Sequence, residues 1–152
     1  MDRQRPSTAT VVAKGAIAGL AGTVVMTAFQ KLVEMPITKR GDSYAPADFA
    51  ERVLPVRAAR GEDRKRLNYA THFALGPMWG VAYAVAKRLR LSAPLAVAGV
   101  FATVYSGDLV LNTALGLYRP WDWSGRDWAI DAVDKLVQAA ATGAVYELAL
   151  DR

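Results

Sequence analysis

Apolar residues recur in four long segments of the chain, and charged residues gather between them. The segments cover about residues 11–33, 67–86, 92–117 and 128–150, and a charged loop at 34–66 joins the first two. A bilayer core about 30 Å thick is crossed by roughly 20 mostly apolar residues in a helix. The pattern predicts an all-α, integral membrane four-helix bundle, with residues 1–152 as one membrane domain. The first half of the fourth segment, WAIDAVDK, is polar, so whether that segment fully spans stays open.

Glycines recur at helical spacing in the first two segments. Gly15, Gly19 and Gly22 lie in KGAIAGLAGTVVMTAFQK, and Gly76 and Gly80 form a second GxxxG pattern in GPMWG. In lipid, small residues allow close packing of helix backbones, whereas in water each such glycine costs about 0.5–1 kcal/mol relative to alanine. We therefore expect these five glycines at helix contacts, either within the chain or in a homo-oligomer. The alternative is a soluble, alanine-rich bundle, which would have to bury residues 67–86 on all sides.

The charged loop at 34–66 contains one helix signal, PADFAERV, in which Pro46 suits the first turn and acidic residues follow. Tyr44, Phe49 and Val53 can lie on a membrane surface with arginines toward the headgroups. A short solvated helix is the alternative. The loop is therefore predicted to be partly helical and amphipathic.

A later loop, YRPWDWSGRDW, concentrates aromatic residues at Tyr118, Trp121, Trp123 and Trp128. Tryptophan and tyrosine favour the headgroup level of a bilayer, which indicates an interfacial belt. A substrate-binding aromatic cluster is the alternative.

Composition narrows the classes of function. Among 152 residues, 53% are apolar and 22% charged, the net charge is +5, and the chain has no cysteine and one histidine. Disulfides, cysteine zinc sites and multi-histidine metal sites are excluded, so no metal or cofactor is expected. Lysine and arginine lie between the apolar segments and not in a stripe with aromatics, which argues against nucleic acid and leaves the lipid bilayer as the expected partner. No GxSxG, HExxH, P-loop or dinucleotide motif occurs, so we do not expect an enzyme.

The distribution of basic residues bears on orientation. With four spans both termini share one side, which carries Arg3, Arg5, Lys14, Lys87, Arg88, Arg90 and Arg152. The opposite side holds the longer and more basic loop at 34–66. The positive-inside rule taken literally places that loop in the cytoplasm, and the orientation stays open.

Polar and ionisable residues also occur inside the segments, where they usually face a bundle interior. On the fourth segment they follow three- and four-residue spacing and share one helix face: Asp127, Asp131, Asp134, Gln138 and Thr142. Lys135 lies beside that face, one turn from Asp131. The third segment places Tyr105, Asp108 and Asn112 on one face, and the second carries His72.

We expect these faces to meet in an intramembrane polar network of His72, Asp108, Asn112, Asp131, Asp134 and Lys135. Asp108 has no basic residue in its own segment, so His72 or Lys135 is its expected partner. The network can fix the register of the helices, or pass protons or bind a cation. Asp127, Asp131 and Glu147 can instead belong to segment ends that protrude into water. A His72–Asp108 pair would provide a group suited to sensing acid.

The quoted motifs resemble those of the YagU-like bacterial inner-membrane proteins. GAIAGLAGTVVMTAFQKLVEMPITKR resembles their glycine-rich first span, with Gly15, Gly19, Lys31, Glu34, Pro36 and Arg40 in matching order. THFALGPMWGVAYAVA resembles the second span through His72, Gly76, Gly80 and Tyr83, and Asp131 and Glu147 resemble the closing span. This chain is shorter, mainly in the first loop. The resemblance implies a multi-pass protein of the bacterial cytoplasmic membrane, linked to acid tolerance and without catalytic residues.

Two main hypotheses of function follow, and a third, a membrane enzyme, would need a polar pocket with two or more convergent ionisable groups open to one membrane face. The first is a small non-enzymatic membrane protein that supports acid or envelope stress tolerance. The second is a transporter or channel subunit for protons or a small cation that uses the intramembrane polar face.

Overall fold

Helices in the structure begin and end close to the segments that the hydrophobic pattern predicts. The structure is a computed structural model that describes residues 6–58 and 60–150; Arg3, Arg5 and Arg152, used above to compare the two sides, lie outside the described residues. Its longer helices are α1 (Thr8–Phe29), α2 (Ala45–Val53), α3 (Glu62–Arg88), α4 (Ala93–Ala114) and α5 (Gly125–Val145). The described residues contain no strand, which confirms the all-α class.

Helix α1 continues well past its regular portion. It starts at Ser7, whose hydroxyl accepts a hydrogen bond from the Thr10 amide at 3.1 Å and so satisfies a donor that a first turn leaves free. After Phe29 the helix continues through a π-helical turn, Gln30–Glu34, and a last α-helical turn, Met35–Thr38. We call these two turns the extension of α1. A π-turn inserts one residue into the helix and rotates the side chains that follow, and such turns often accompany functional sites.

Helices α1 and α3 run antiparallel with their backbones in direct contact at the glycines. A Cβ atom added to Gly15 would lie 2.7 Å from the Gly80 carbonyl oxygen, and one added to Gly19 would lie 2.8 Å from the Gly80 amide nitrogen. Gly76 faces the Thr23 side chain of α1. Only glycine allows this approach. The four glycines are buried within one chain, so this contact is not exposed to a second copy.

The next side of α1 packs against α5 through small and polar residues. A Cβ on Gly22 would lie 3.0 Å from the Thr142 amide nitrogen. One turn away along α5, the Gln138 Nε2 donates to Thr23 Oγ1 at 2.9 Å, and the same hydroxyl donates to the Gly19 carbonyl at 2.9 Å. The glycine face of α1 is therefore shared between two neighbours, because Gly15 and Gly19 contact α3 whereas Gly22 contacts α5.

Helix α4 is apolar and largely exposed. Pro94 stands in its first turn, as the sequence predicts, and the helix packs along α3 and α5. Only 17% of its most apolar 18-residue window is buried, and Leu95 and Val110 are 60% and 69% exposed. Within the described residues, two helices are long and apolar enough to cross a membrane, Thr8–Thr38 and Ala93–Ala114, compared with the four spans that the sequence pattern predicts.

The predicted helix in the loop is α2, with Pro46 in its first turn, which confirms the interpretation of PADFAERV. Its Ala47 is buried, and the Ala47 amide donates to Asn68 Oδ1 on α3 at 3.1 Å. Arg64 of α3 pairs with Asp48 and, at 3.3 Å, with Glu51. Helix α2 is thereby fixed to the first turns of α3. We call this side of the bundle, which carries residues 39–58, 60–61 and 115–124, the loop end.

Candidate functional site

A cavity of about 560 Å³ lies between the helices near the loop end. Side chains of α1 and its extension, α3, α4 and α5 line it, and α2 and residues 40–46 border it. Its charged lining comprises three cations and five carboxylates: Lys31, Arg40 and Lys135, and Glu34, Asp42, Asp108, Asp131 and Asp134. With His72 neutral and every carboxyl group ionised, the formal charge of this lining is therefore −2.

All of the residues predicted to form the intramembrane polar network line this cavity: His72, Asp108, Asn112, Asp131, Asp134 and Lys135. They do not form one continuous network. The contacts divide them into three groups, centred on Lys135, on His72 and on Asp134.

The first group joins α4 to α5. The Lys135 Nζ lies 3.2 Å from Asp131 Oδ1, one turn earlier on α5, and 3.9 Å from Asp108 Oδ2 on α4. The Asn112 Nδ2 donates to Asp108 Oδ1 at 2.9 Å. Of the two partners proposed for Asp108, Lys135 is the one in reach. One ammonium group thus faces two carboxylates, and the group has an excess negative charge.

The second group joins α3 to α1. The His72 Nε2 lies 3.2 Å from Thr27 Oγ1, and the Thr27 hydroxyl donates to the Thr23 carbonyl at 2.8 Å. Because that hydroxyl proton is already used, the His72 Nε2 must carry the proton that it donates to Thr27. The expected His72–Asp108 pair is not formed, since α3 turns the imidazole toward α1 and not toward α4. The physical basis for acid sensing by that pair is therefore missing.

The third group joins α5 to the extension of α1. Asp134 is only 2% exposed, and its Oδ2 accepts from Gln30 Nε2 at 2.6 Å and lies 3.3 Å from the Arg40 guanidinium. Arg40 also lies 3.4 Å from Glu34, which accepts from the Thr38 hydroxyl at 2.6 Å. The other oxygen of Asp134, Oδ1, is buried without a hydrogen-bond partner among the described residues. One acceptor of the Asp134 carboxylate is therefore desolvated and unpaired among the described residues.

Gln30, Glu34 and Arg40 were not predicted to form part of a site, and only the family resemblance singled out Glu34 and Arg40. Gln30 near the end of the first segment and Glu34 at the start of the loop are four residues apart, the same spacing that links Asp131 to Lys135, so a usable signal existed. Arg40 lies in the irregular stretch 39–44, and only the tertiary path of that stretch brings it to Asp134.

The aromatic residues of the 118–128 region divide between the cavity and the surface. Tyr118 lines the cavity, and burial raises the pKa of its hydroxyl above the usual value, so this group stays a neutral donor. Its ring is 5.5 Å from that of Trp123, which is 5.0 Å from Trp128. Trp121 is 70% exposed. Phe49, for which a membrane surface was one of two predicted positions, lines the cavity.

The cavity does not gather metal ligands. Within residues 6–58 and 60–150, no three histidine, aspartate or glutamate side chains are grouped so as to hold a metal ion. No protein-family model, curated protein or solved structure matches the chain. The resemblance to the YagU-like proteins therefore depends on the quoted motifs alone, and the site is interpreted from its own geometry.

Proposed function

We propose that the chain is a non-enzymatic integral membrane protein that binds a small cation in the cavity of its four-helix bundle and serves as a transporter or channel subunit. The single observation that carries this proposal is the net negative cavity of about 560 Å³ between the helices. In this proposal the bilayer is that of a bacterial cytoplasmic membrane, as the sequence resemblance implies.

The distribution of polarity supports the membrane part of the proposal. Polar and charged side chains at Glu34, Asn112, Asp134 and Gln138 are at most 6% exposed, whereas Ile17, Leu95 and Val110 are 55–69% exposed. A soluble bundle usually has the opposite arrangement. In lipid the apolar outer residues contact acyl chains, and the polar faces of α3 and α5 turn inward, where ionisable groups usually lie.

Charge and size support the cation part of the proposal. A volume of about 560 Å³ falls in the range of roughly 300–1,000 Å³ typical of small-molecule sites. A cavity with a formal charge of −2 attracts cations and repels anions. The Asp108–Lys135–Asp131 group alone has one carboxylate more than it has cations. A purely structural polar cluster does not need such an excess.

The role in acid or envelope stress tolerance receives no support from these contacts. Its physical basis was the His72–Asp108 pair, and His72 contacts Thr27 instead. We therefore favour cation binding over acid sensing.

Binding and flux of tetramethylammonium test the proposal. The protein is purified in detergent for titration calorimetry and reconstituted in liposomes for uptake, with gluconate as the anionic probe. Asp108→Asn removes a cavity charge at constant size and should weaken tetramethylammonium binding about tenfold or more, a loss of about 1.4 kcal/mol. Asp122→Asn is the matched control, because Asp122 is 59% exposed and pairs only loosely with Arg119, at 3.9 Å; it should change affinity by less than about twofold.

Two outcomes would contradict the proposal. One is a wild-type protein that binds neither tetramethylammonium nor a smaller cation, or that prefers gluconate. The other is an equal loss of affinity in Asp108→Asn and Asp122→Asn, because a general effect of charge would then explain the binding without a specific site.

A further inference from the structure

Two buried carboxylates converge at the loop end of the cavity. Glu34 belongs to the extension of α1 and Asp134 to α5, and they are 6% and 2% exposed. Each is oriented by its own donor, since Thr38 Oγ1 donates to Glu34 Oε1 and Gln30 Nε2 donates to Asp134 Oδ2, both at 2.6 Å. The pair of carboxylates is therefore positioned by contacts that do not involve Arg40.

Arg40 lies between these two carboxylates, but its hydrogen bonds to them are long and incomplete. Its contacts to Glu34 and Asp134, at 3.4 and 3.3 Å, are longer than the roughly 2.7–2.9 Å of a well-formed charge-assisted hydrogen bond. Both come from the same terminal nitrogen, and the Arg40 Nε and the Asp134 Oδ1 are buried with no hydrogen-bond partner among the described residues. A guanidinium can donate through two nitrogens to one carboxylate. A guanidinium that is not tethered to the backbone can donate through two nitrogens, whereas Arg40 donates to both carboxylates through one.

The stretch that carries Arg40 is held by exposed contacts. Residues 39–44 are irregular, and the Arg40 side chain is 35% exposed. Asp42 pairs with Lys31 through side chains that are 41% and 36% exposed, and the Ser43 carbonyl accepts from Asn68 Nδ2 at 3.0 Å, also on the surface. Exposed ion pairs contribute little to stability. Withdrawal of Arg40 therefore disturbs no buried apolar contact of residues 41–43, which are all exposed.

We infer that the Glu34–Asp134 end of the cavity is a guanidinium subsite, that its ligand is a small guanidinium compound, and that Arg40 is a tethered competitor for it. This inference rests on the proposed cation binding and names the class of cation. A tethered group competes at a high effective concentration, so removal of Arg40 strengthens binding of the free ligand.

The experiment measures the binding of methylguanidinium and of tetramethylammonium to the full chain in detergent. Arg40→Ala should bind methylguanidinium at least about tenfold more tightly than wild type does, and methylguanidinium should raise its melting temperature more than tetramethylammonium does. Lys39→Asn is the matched control. It removes a neighbouring exposed charge, and asparagine tolerates the left-handed backbone of Lys39, with φ of 58°. This control should bind methylguanidinium as wild type does.

A second variant covers the case in which Arg40→Ala does not fold. Arg40→Lys keeps a cation beside the two carboxylates but lacks the planar set of guanidinium donors. It should also bind methylguanidinium more tightly than wild type does. Asp134→Asn introduced into either variant should abolish the gain.

The outcomes separate this inference from the proposed function. If the variants bind tetramethylammonium and gain nothing for methylguanidinium, the guanidinium subsite is wrong and cation binding stands. If neither wild type nor variants bind either cation, both fail. An equal gain in Lys39→Asn also overturns the inference, because loss of any nearby positive charge would explain it.

Discussion

Replacing Gly19 by alanine adds a single methyl group at the contact between α1 and α3, and it therefore tests how closely the two backbones approach. The added Cβ would lie 2.8 Å from the Gly80 amide nitrogen and 3.0 Å from Pro77 Cα, and backbone atoms cannot rotate away. The same Cβ would lie still closer to the Gly76 carbonyl oxygen, and ordinary contact begins at 3.4 Å, so the helices must separate by more than 0.6 Å, the difference between 3.4 and 2.8 Å. Overpacking of this kind costs about 1–3 kcal/mol. For a chain of this length that lowers the melting temperature by about 2–12 °C.

Gly99→Ala is the matched control for this substitution. Gly99 lies in α4, and a Cβ there would meet no atom within 4 Å, while alanine favours a helix by about 0.5–1 kcal/mol. Melting temperatures of wild type and both variants are measured in the same detergent. We expect Gly19→Ala to melt below wild type and Gly99→Ala at or above it. A Gly19→Ala protein that melts as high as wild type would refute direct backbone contact between α1 and α3.

The remaining predictions concern the membrane, a helix start and a buried hydrogen bond. The chain should stay in the membrane fraction after an alkaline wash, and recovery of folded protein from cytosol without detergent would end the membrane proposal. Ser124 and Asp127 form a capping box at the start of α5, so Ser124→Ala should cost about 1 kcal/mol in stability. Hydrogen bonds from Ser124 lower the pKa of Asp127, so its stabilisation is present above the ordinary aspartate pKa and is lost as pH falls through the lowered value. Asp127→Asn should therefore flatten the acid side of a plot of melting temperature against pH. Thr23→Val and Gln138→Leu should each cost about 1–3 kcal/mol, whereas the double variant should cost less than their sum; strict additivity would contradict the bond.

The helices could be predicted because their signals are local. Pro46 and Pro94 each stand in a first turn, where a missing amide proton costs nothing. Apolar runs of span length set the extent of α1 and α4. Helices α3 and α5 combine apolar and polar faces. Among the described residues they are not counted with the two helices that are long and apolar enough to cross a membrane, so the prediction of four spans is supported only in part.

The partners of the polar residues could not be predicted, because spacing along one helix fixes only which side chains share a face. The rotation of each helix about its axis decides which face of a neighbour it meets. His72 and Lys135 were equal candidates for Asp108 by sequence, yet α3 turns His72 toward Thr27 and leaves Lys135 to Asp108.

The contacts of the Asp134 group were even less predictable from sequence. The π-helical turn Gln30–Glu34 rotates the extension of α1 relative to a regular helix, and the left-handed residue Lys39 then directs the chain back across the cavity. Neither feature has a periodic signature in sequence. Because Arg40 reaches Asp134 only through both of them, the Asp134 group is the part of the cavity that sequence patterns predict least. A site assembled in this way depends on the path of the backbone, so substitutions that straighten the π-turn should disturb the Arg40–Asp134 contact while the glycine contact of α1 with α3 persists.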